Sequence, residues 1–450
     1  MRPLATRVCT AALGVVAGVA AGVTQPAYAA PAPRPMATFS TAGAFNPLKP
    51  VRVLDTRYGT GAAGPVGPDQ VVRLPVRGRH GVSSGAGSVV LNVTVTQPSD
   101  SGFITVYPGG TAPTVSNLNF VRGQTVSNLV VAQIGSDGSI SIRSSSKSTV
   151  QLVADLAGYY QGGRAVSKGM FQPMAPARML DTRTSGRPVP PGGSVDVAVL
   201  GVSGVPASRV QAVFLNTTVT EPRRSGYVTA WPSGTARPTA SSLNFVAGQT
   251  VPNLVMVKVG SNGRVSLYNG SAGTAHLVAD IAGYVVDGYD TEQPGAFIPS
   301  SPERIIDTRL PSWKTGKLQP HWEGIGCFAP WVGAVMANVT AIEPEAPGFI
   351  TVSPRTGELP TASSVNFVAG QTVPNLATSP VDDKLMVSFY NGSPGATHLA
   401  VDLAGSFVGA GGLNAPLPPG GDPCDELRSI TYQGVSAQAV GPVRAGAAPR

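Results

Sequence analysis

Hydrophobic and polar residues alternate with a period of two along much of this chain. In Leu91-Asn92-Val93-Thr94-Val95-Thr96 the alternation is strict, the pattern of a strand with one apolar face. A second such run, residues 102–107, follows the turn cluster Pro98-Ser99-Asp100-Ser101 and has counterparts at 226–231 and 348–353. Ser139-Ile140-Ser141-Ile142 comes after Asp137-Gly138, a hairpin-type turn. Residues 150–159 are the most continuously apolar and read as a strand buried on both faces. Beyond residue 29, no stretch of twelve residues has helical periodicity. Roughly seven or eight short strands, about ten residues apart, predict an all-β unit, a jelly-roll-like β-sandwich.

This pattern is written three times. Asp-Thr-Arg stands at Asp55-Thr56-Arg57, Asp181-Thr182-Arg183 and Asp307-Thr308-Arg309, 126 residues apart each time. Asn-x-Thr follows at Asn92, Asn216 and Asn338, then Asn-Phe-x-x-Gly-Gln-Thr-Val-x-Asn-Leu at 119–129, 244–254 and 366–376. Asp-(Leu/Ile)-Ala-Gly closes the copies at Asp155, Asp280 and Asp402. A period this long exceeds the about 20–50 residues of a solenoid unit and matches a small domain. The expected organisation is three tandem homologous β-sandwich domains at 45–161, 171–288 and 297–409, the third divergent. A catalytic centre seldom has reason to be copied three times, whereas a binding or structural surface often does.

Residues 1–29 read as a cleaved signal peptide, with Arg2 and Arg7 ahead of an apolar stretch at 8–23 and a small-x-small site at Ala27-Tyr28-Ala29. Residues 30–44 form a flexible leader, and 410–450 a Gly/Pro-rich tail carrying Cys424. No later stretch approaches the roughly 20 apolar residues of a membrane span. The expected location is outside the cytoplasm, secreted or associated with the cell wall. Loss of the signal leaves Cys327 and Cys424, which are expected to pair in an oxidising compartment and staple the tail to the third repeat. The formal charge is +8, but basic residues are scattered, so no nucleic-acid partner is expected.

Candidate chemistry is sparse. A carboxylate inside the apolar closing strand is costly unless paired. Ion pairs of Arg57 with Asp155, Arg183 with Asp280 and Arg309 with Asp402 are therefore expected, clipping the first strand of each repeat to its last, beside Asp55, Asp181 and Asp307. The alternative is a carboxylate–guanidinium site for sugar hydroxyls or calcium. The amides Gln124 and Asn128, Gln249 and Asn253, Gln371 and Asn375 are expected to satisfy loop backbone groups, or else to bind sugar. Asn92, Asn216 and Asn338 match a glycosylation sequon, but a mid-strand place argues for cross-strand hydrogen bonds. Aromatics vary between copies: Tyr107 becomes Trp231 and then Ser353, and Arg143 becomes Tyr268 and Tyr390. Such variation suggests surface positions, and Tyr107, Trp231, Tyr268 and Tyr390 are the candidate ligand-binding residues, able to stack on sugar rings. His80, His276, His321 and His398 form no recurring catalytic arrangement, and no metal-ligand spacing is present, so no catalytic residue, metal or cofactor is expected. In the third repeat Trp313, His321, Trp322, Cys327, Phe328 and Trp331 cluster, as a cap packed against the tail or as a distinct binding face.

Leu54-Asp55-Thr56-Arg57, Asn92-Val93-Thr94-Val95-Thr96-x-Pro98, Gly102-Phe103-x-Thr105-Val106-x-Pro108, Leu118-Asn119-Phe120-x-x-Gly123-Gln124-Thr125-Val126 and Val153-Ala154-Asp155-Leu156-x-Gly158-Tyr159 together resemble a repeat domain of exported proteins of high-GC Gram-positive bacteria. The resemblance covers all three repeats. In that family the domain occurs alone, in tandem or beside hydrolase domains, its own activity is not established, and it is usually presumed to attach proteins to the wall or to glycans. The third repeat departs at Ser353 and Ser406, where the family tends to have aromatics. The resemblance implies an exported, non-enzymatic protein that attaches to cell-wall or surface glycan. The alternatives are a structural or protein–protein scaffold component of the cell surface, and a hydrolase-associated protein with a site confined to the third repeat.

Overall fold

The computed structural model describes residues 43–162, 168–287, 294–310, 316–412 and 415–416, with the backbone of 431–432 and 435–442. The expected signal peptide, nearly all of the leader, Trp313 and Cys424 lie outside the described residues. The described residues form strands and turns and no helix, and none could supply a helix long and apolar enough to cross a membrane.

Repeat 1 supplies β1 (Phe45–Asp55), β2 (Val71–Pro75), β3 (Ala86–Thr96), β4 (Gly102–Tyr107), β5 (Leu118–Phe120), β6 (Val126–Gln133), β7 (Ser139–Ser146) and β8 (Gln151–Gln161). Repeat 2 supplies β9 (Lys168–Asp181), β10 (Ser194–Ala198), β11 (Val210–Thr220), β12 (Gly226–Pro232), β13 (Leu243–Phe245), β14 (Val251–Lys258), β15 (Arg264–Asn269) and β16 (His276–Asp287). Repeat 3 supplies β17 (Phe297–Asp307), β18 (Trp322–Cys327), β19 (Val332–Ile342), β20 (Gly348–Pro354), β21 (Val365–Phe367), β22 (Val373–Pro380), β23 (Met386–Asn391) and β24 (His398–Val408). The tail adds β25 (Thr431–Tyr432) and β26 (Val435–Pro442).

Each repeat makes two antiparallel sheets. In repeat 1 the orders are β1-β8-β3-β6 and β2-β7-β4-β5, and the other repeats follow the same scheme. In repeat 3 the second sheet grows, with β26 pairing along β18 and β25 beyond it. Between the two sheets of each repeat lies an apolar core, which in repeat 1 includes Leu54, Leu91, Ile104, Ile142 and Leu152. Alternation explains which residues enter it. Leu91, Val93 and Val95 of β3 face this core, and Asn92, Thr94 and Thr96 face the other way. That polar face is buried too, and its Asn92 bonds to the neighbouring repeat.

A further core is shared by all three repeats. It gathers Phe45, Val90 and Tyr160 from repeat 1, Phe171, Phe214 and Val285 from repeat 2, and Phe297, Met336 and Phe407 from repeat 3. The rings interleave across repeats: Tyr160 lies 4.3 Å from Phe297, Phe171 4.3 Å from Phe407, and Phe45 5.9 Å from Phe214, between centroids. The motif glycine makes room for this layer. A Cβ at Gly158 would stand 2.7 Å from the Phe45 ring, and Gly283 and Gly405 lie equally tight under Phe171 and Phe297. The described residues of all three repeats belong to one compact unit with a common interior, so the expectation of three tandem domains is not confirmed.

Candidate functional site: the seams between repeats

Each Asp-Thr-Arg triplet ends the first strand of its repeat. Asp55 is buried and accepts from Arg57 Nε at 2.8 Å and Nη2 at 2.7 Å, and from Arg52 Nη1 at 2.9 Å. Arg52 also grips Asp155, with Nε to Oδ1 at 2.9 Å and Nη2 to Oδ2 at 3.0 Å. The expected partner of Asp155 is thus corrected from Arg57 to Arg52. The β1–β8 register sets Arg52 directly opposite Asp155, whereas Arg57 lies past the strand end and folds back onto Asp55. The same correction holds in the other copies. Arg178, not Arg183, reaches Asp280, and Arg304, not Arg309, reaches Asp402; Arg183 and Arg309 hold Asp181 and Asp307. Arg52, Arg178 and Arg304 went unrecognised in the sequence, although an Arg stands three residues before the triplet Asp in every copy.

Each network therefore sets two carboxylates against two guanidiniums, so the buried charge is compensated. Hydrogen bonds from Arg183 hold the Asp181 carboxyl down at about 2. Burial pushes Asp307 upward, but bonds from Arg309 and Arg304 outweigh it and bring this carboxyl to about 2 as well. For the more deeply buried Asp280 and Asp402, burial wins over Arg178 and Arg304 and raises the carboxyl. The triplet Thr completes the clip. Thr56 Oγ1 accepts from Leu152 N–H at 2.9 Å, as Thr182 does from Leu277 and Thr308 from Leu399. The same hydroxyls meet Gln151, His276 Nδ1 and His398 Nδ1, which gives both histidines a structural place.

The asparagines do something the sequence did not disclose. Asn253 Nδ2 of repeat 2 donates to Asn92 Oδ1 of repeat 1 at 2.9 Å. Asn375 of repeat 3 donates to Asn216 of repeat 2 at 2.9 Å, and Asn128 of repeat 1 donates to Asn338 of repeat 3 at 2.8 Å. The series closes on itself. At each seam the Asn-x-Thr amide also donates across to a backbone carbonyl: Asn92 to Ser241, Asn216 to Ser363, Asn338 to Ser116. The other asparagine accepts a backbone N–H across the seam: Leu129 to Asn253, Leu254 to Asn375, Leu376 to Asn128. The expected cross-strand role of Asn92, Asn216 and Asn338 is corrected to a cross-repeat one. Asn128, Asn253 and Asn375 do satisfy loop backbone groups, donating to Asn117, Ser242 and Ser364 carbonyls of their own repeats, and bridge to the next repeat as well. Gln124, Gln249 and Gln371 differ: each accepts from a nearby loop N–H, of Val121, Val246 and Val368.

Beside the clasp the seams keep small clefts. The one between repeats 1 and 2, lined by Pro50, Asn92, Asp155, Ala157 and Ser241, measures about 40 Å³. Its counterpart between repeats 2 and 3, at Pro176, Asn216, Asp280, Ala282 and Ser363, measures about 10 Å³. Such spaces admit a water or two, not a sugar ring, which calls for about 300 Å³ or more.

The candidate aromatics do not form a common surface. Tyr107 and Trp231 are buried, against expectation. The chain after β12 folds back over Trp231, whose Nε1 donates to Thr235 O at 3.1 Å, and Thr229 Oγ1 ties the same segment through Ala240 O. Tyr268 is half-buried, 6.1 Å from Tyr227, with the Arg237 guanidinium 3.4 Å above its ring. Tyr390 is half-buried and its hydroxyl lies 2.9 Å from His321 Nδ1. In the same repeat Trp322, Trp331 and Phe328 pack on the core and Cys327 is buried, while β26 runs along β18.

No protein-family model matches the chain, and no curated protein matches it. Several solved structures align with it, two of them over 82% of the chain at 9% identity. One is described as the atomic structure of Sulfolobus Turreted Icosahedral Virus (91% of that chain, TM-score 0.17). The other concerns the triple jelly roll fold and turret assembly in an archaeal virus (90% of that chain, TM-score 0.16). Neither reaches a TM-score at which a common fold follows.

Proposed function

We propose that the chain is an exported, non-enzymatic scaffold of the cell surface: a rigid three-repeat ring that holds other components in place. The observation that carries this reading is the closed asparagine clasp. With the shared aromatic layer, it commits the motif asparagines to contacts between repeats, while the Asp-Thr-Arg networks clip the first strand of each repeat to its last. Each repeat is read as a jelly-roll-like β-sandwich domain, supported by the strand orders 1-8-3-6 and 2-7-4-5, two wrapped Greek keys. Export rests on the signal-like residues 1–29. A Cys327–Cys424 disulfide is favoured by the return of the tail strand to β18, which carries Cys327.

Attachment to wall glycan is the second reading. It is favoured by Tyr227 and Tyr268, two half-buried rings side by side in repeat 2. The hydrolase-associated reading rests on the His321–Tyr390 contact alone. Sedimentation of the full-length protein with purified peptidoglycan separates the first two. The scaffold reading expects no retention that soluble wall saccharide can compete. Competable retention abolished by Tyr268→Ala would replace it with glycan attachment.

A further inference from the structure

We propose that the outer edge of β10 is an acceptor site for an extended, uncharged strand of a partner protein. The three edge strands β2, β10 and β18 occupy equivalent places: Val71 pairs with Arg143, Ser194 with Tyr268, and Glu323 with Tyr390. In repeat 3 the chain itself fills this edge. There β26 runs antiparallel to β18, with Glu323 opposite Val440, Ile325 opposite Gln438 and Cys327 opposite Ser436. Among the described residues, no strand lies beyond β2 or β10.

The direction of the free backbone groups follows from the ladder. Val199 N–H donates to Gly263 O, and Asn269 N–H donates to Gly193 O, so odd-numbered residues of this stretch face β15. Ser194, Asp196 and Ala198 therefore turn their N–H and C=O groups outward. They correspond to Glu323, Ile325 and Cys327, whose row receives the tail strand. Asp196 keeps its charge on this strand, where its carboxylate accepts from the Ser233 and Ser266 hydroxyls on the sheet face.

Repeat 1 lacks the same capacity. Ser144 N–H donates to Gln70 O and Val76 N–H to Gly138 O, so Val71, Arg73 and Pro75 face outward. Pro75, at the place of Ala198, has no N–H to give. Proline is a usual block on an open edge. The edge of β10 carries no proline. Main-chain pairing of this kind fixes strand and register, and the side chains then set the choice of partner. The sequence of β26, Val435-Ser436-Ala437-Gln438-Ala439-Val440, indicates the chemistry that fits: side chains without charge, all but Gln438 small or β-branched.

The inference goes beyond the scaffold reading, and its failure would leave the asparagine clasp untouched. The probe is a capped synthetic peptide of residues 435–442, added to the full-length protein and followed by hydrogen exchange and fluorescence anisotropy. Saturable binding with protection of the Ser194, Asp196 and Ala198 amides is expected. Ala198→Pro copies the proline that repeat 1 already tolerates and should weaken binding about tenfold or more. Pro75→Ala should open a second site in repeat 1. The proposal is overturned by an absence of protection at 194–198, by protection confined to 322–327 as the peptide displaces the chain's own tail, by equal binding to Ala198→Pro, or by no second site in Pro75→Ala.

Discussion

Replacing Asn253 with Ala opens one corner of the clasp between repeats 1 and 2. The Asn253 amide donates to Asn92 Oδ1 and Ser242 O, and its oxygen accepts from Leu129 N–H. The truncation leaves all three groups without this partner, Leu129 N–H and Asn92 Oδ1 at buried bonds and Ser242 O at a part-buried one. A stranded buried donor or acceptor costs roughly 1–3 kcal/mol. Losses at one site add less than fully, so a total of about 4 kcal/mol is expected. Gln249, four residues earlier in the same motif, is the internal standard. It accepts one hydrogen bond in an exposed loop, and Gln249→Ala should cost less than about 1 kcal/mol. Urea unfolding of the wild type and both variants reads the difference, provided the m-values agree. Calorimetry of the wild type should give one cooperative transition, as a core shared by three repeats requires. An Asn253→Ala loss within about 1 kcal/mol of the Gln249→Ala loss would refute the clasp, and three resolved transitions would refute the ring.

Arg52→Ala should destabilise by about 3–5 kcal/mol because it leaves Asp155 buried and unpaired, whereas Arg57→Ala leaves Asp55 with Arg52 and should cost about 1 kcal/mol; chemical unfolding separates the two, and equal losses would restore the pairing first expected. Phe171→Ala removes a ring packed on Phe214 and Phe407 and should cost about 3–5 kcal/mol while lowering the melting of all three repeats together, which hydrogen exchange in β3 and β19 would reveal. The Asp181 carboxyl sits at about 2 in the folded chain against 3.8 unfolded, so its contribution is present above about pH 4 and is lost as pH falls toward 2. Asp280 is shifted the other way and opposes that slope, so the measurement is the difference between wild type and Arg183→Met. The variant should lose stability at pH 5 and converge on the wild type near pH 2, and a constant gap across that range would exclude the mechanism.

The strands were legible because their alternation is strict. Leu91, Val93 and Val95 announce β3, and their facing partners carry the same signal in every copy. What the polar half of the alternation meant was not legible. Asn92, Thr94 and Thr96 look like the solvated face of an ordinary strand, but all three are buried, and Asn92 bonds to the neighbouring repeat. For the same reason Asn253 and Gln249 looked alike in one motif, although one closes a seam and the other caps a loop. The Arg57 assignment failed on register, since a bulge between Arg52 and Leu54 and the end of β1 decide which guanidinium meets Asp155. Variation misled at Tyr107 and Trp231. A following loop that differs between copies can bury side chains of different volume, so variation there did not mean exposure.

The axial layer explains why three linked copies differ from a trimer of one copy. Where β1, β9 and β17 each place a Phe, the closing strands oppose it with Tyr160, Val285 and Phe407. The middle strands complement them: Val90 accompanies Tyr160, Phe214 accompanies Val285, and Met336 accompanies Phe407. A large ring on one strand goes with a smaller or more pliable side chain on the next. Three identical chains could not do this. Three copies of repeat 1 would bring three tyrosines together, and the buried Tyr160 hydroxyl already has no hydrogen-bond partner among the described residues. Three copies of repeat 2 would put three valines where one valine now lies among larger groups. Overpacking and voids each cost on the order of 1–3 kcal/mol per site. Covalent linkage removes the requirement for identity, and the axis is then free to be filled by unlike side chains. The repeats have diverged where they meet in the centre and agree at the seams, where each asparagine must find the same partner on the next copy.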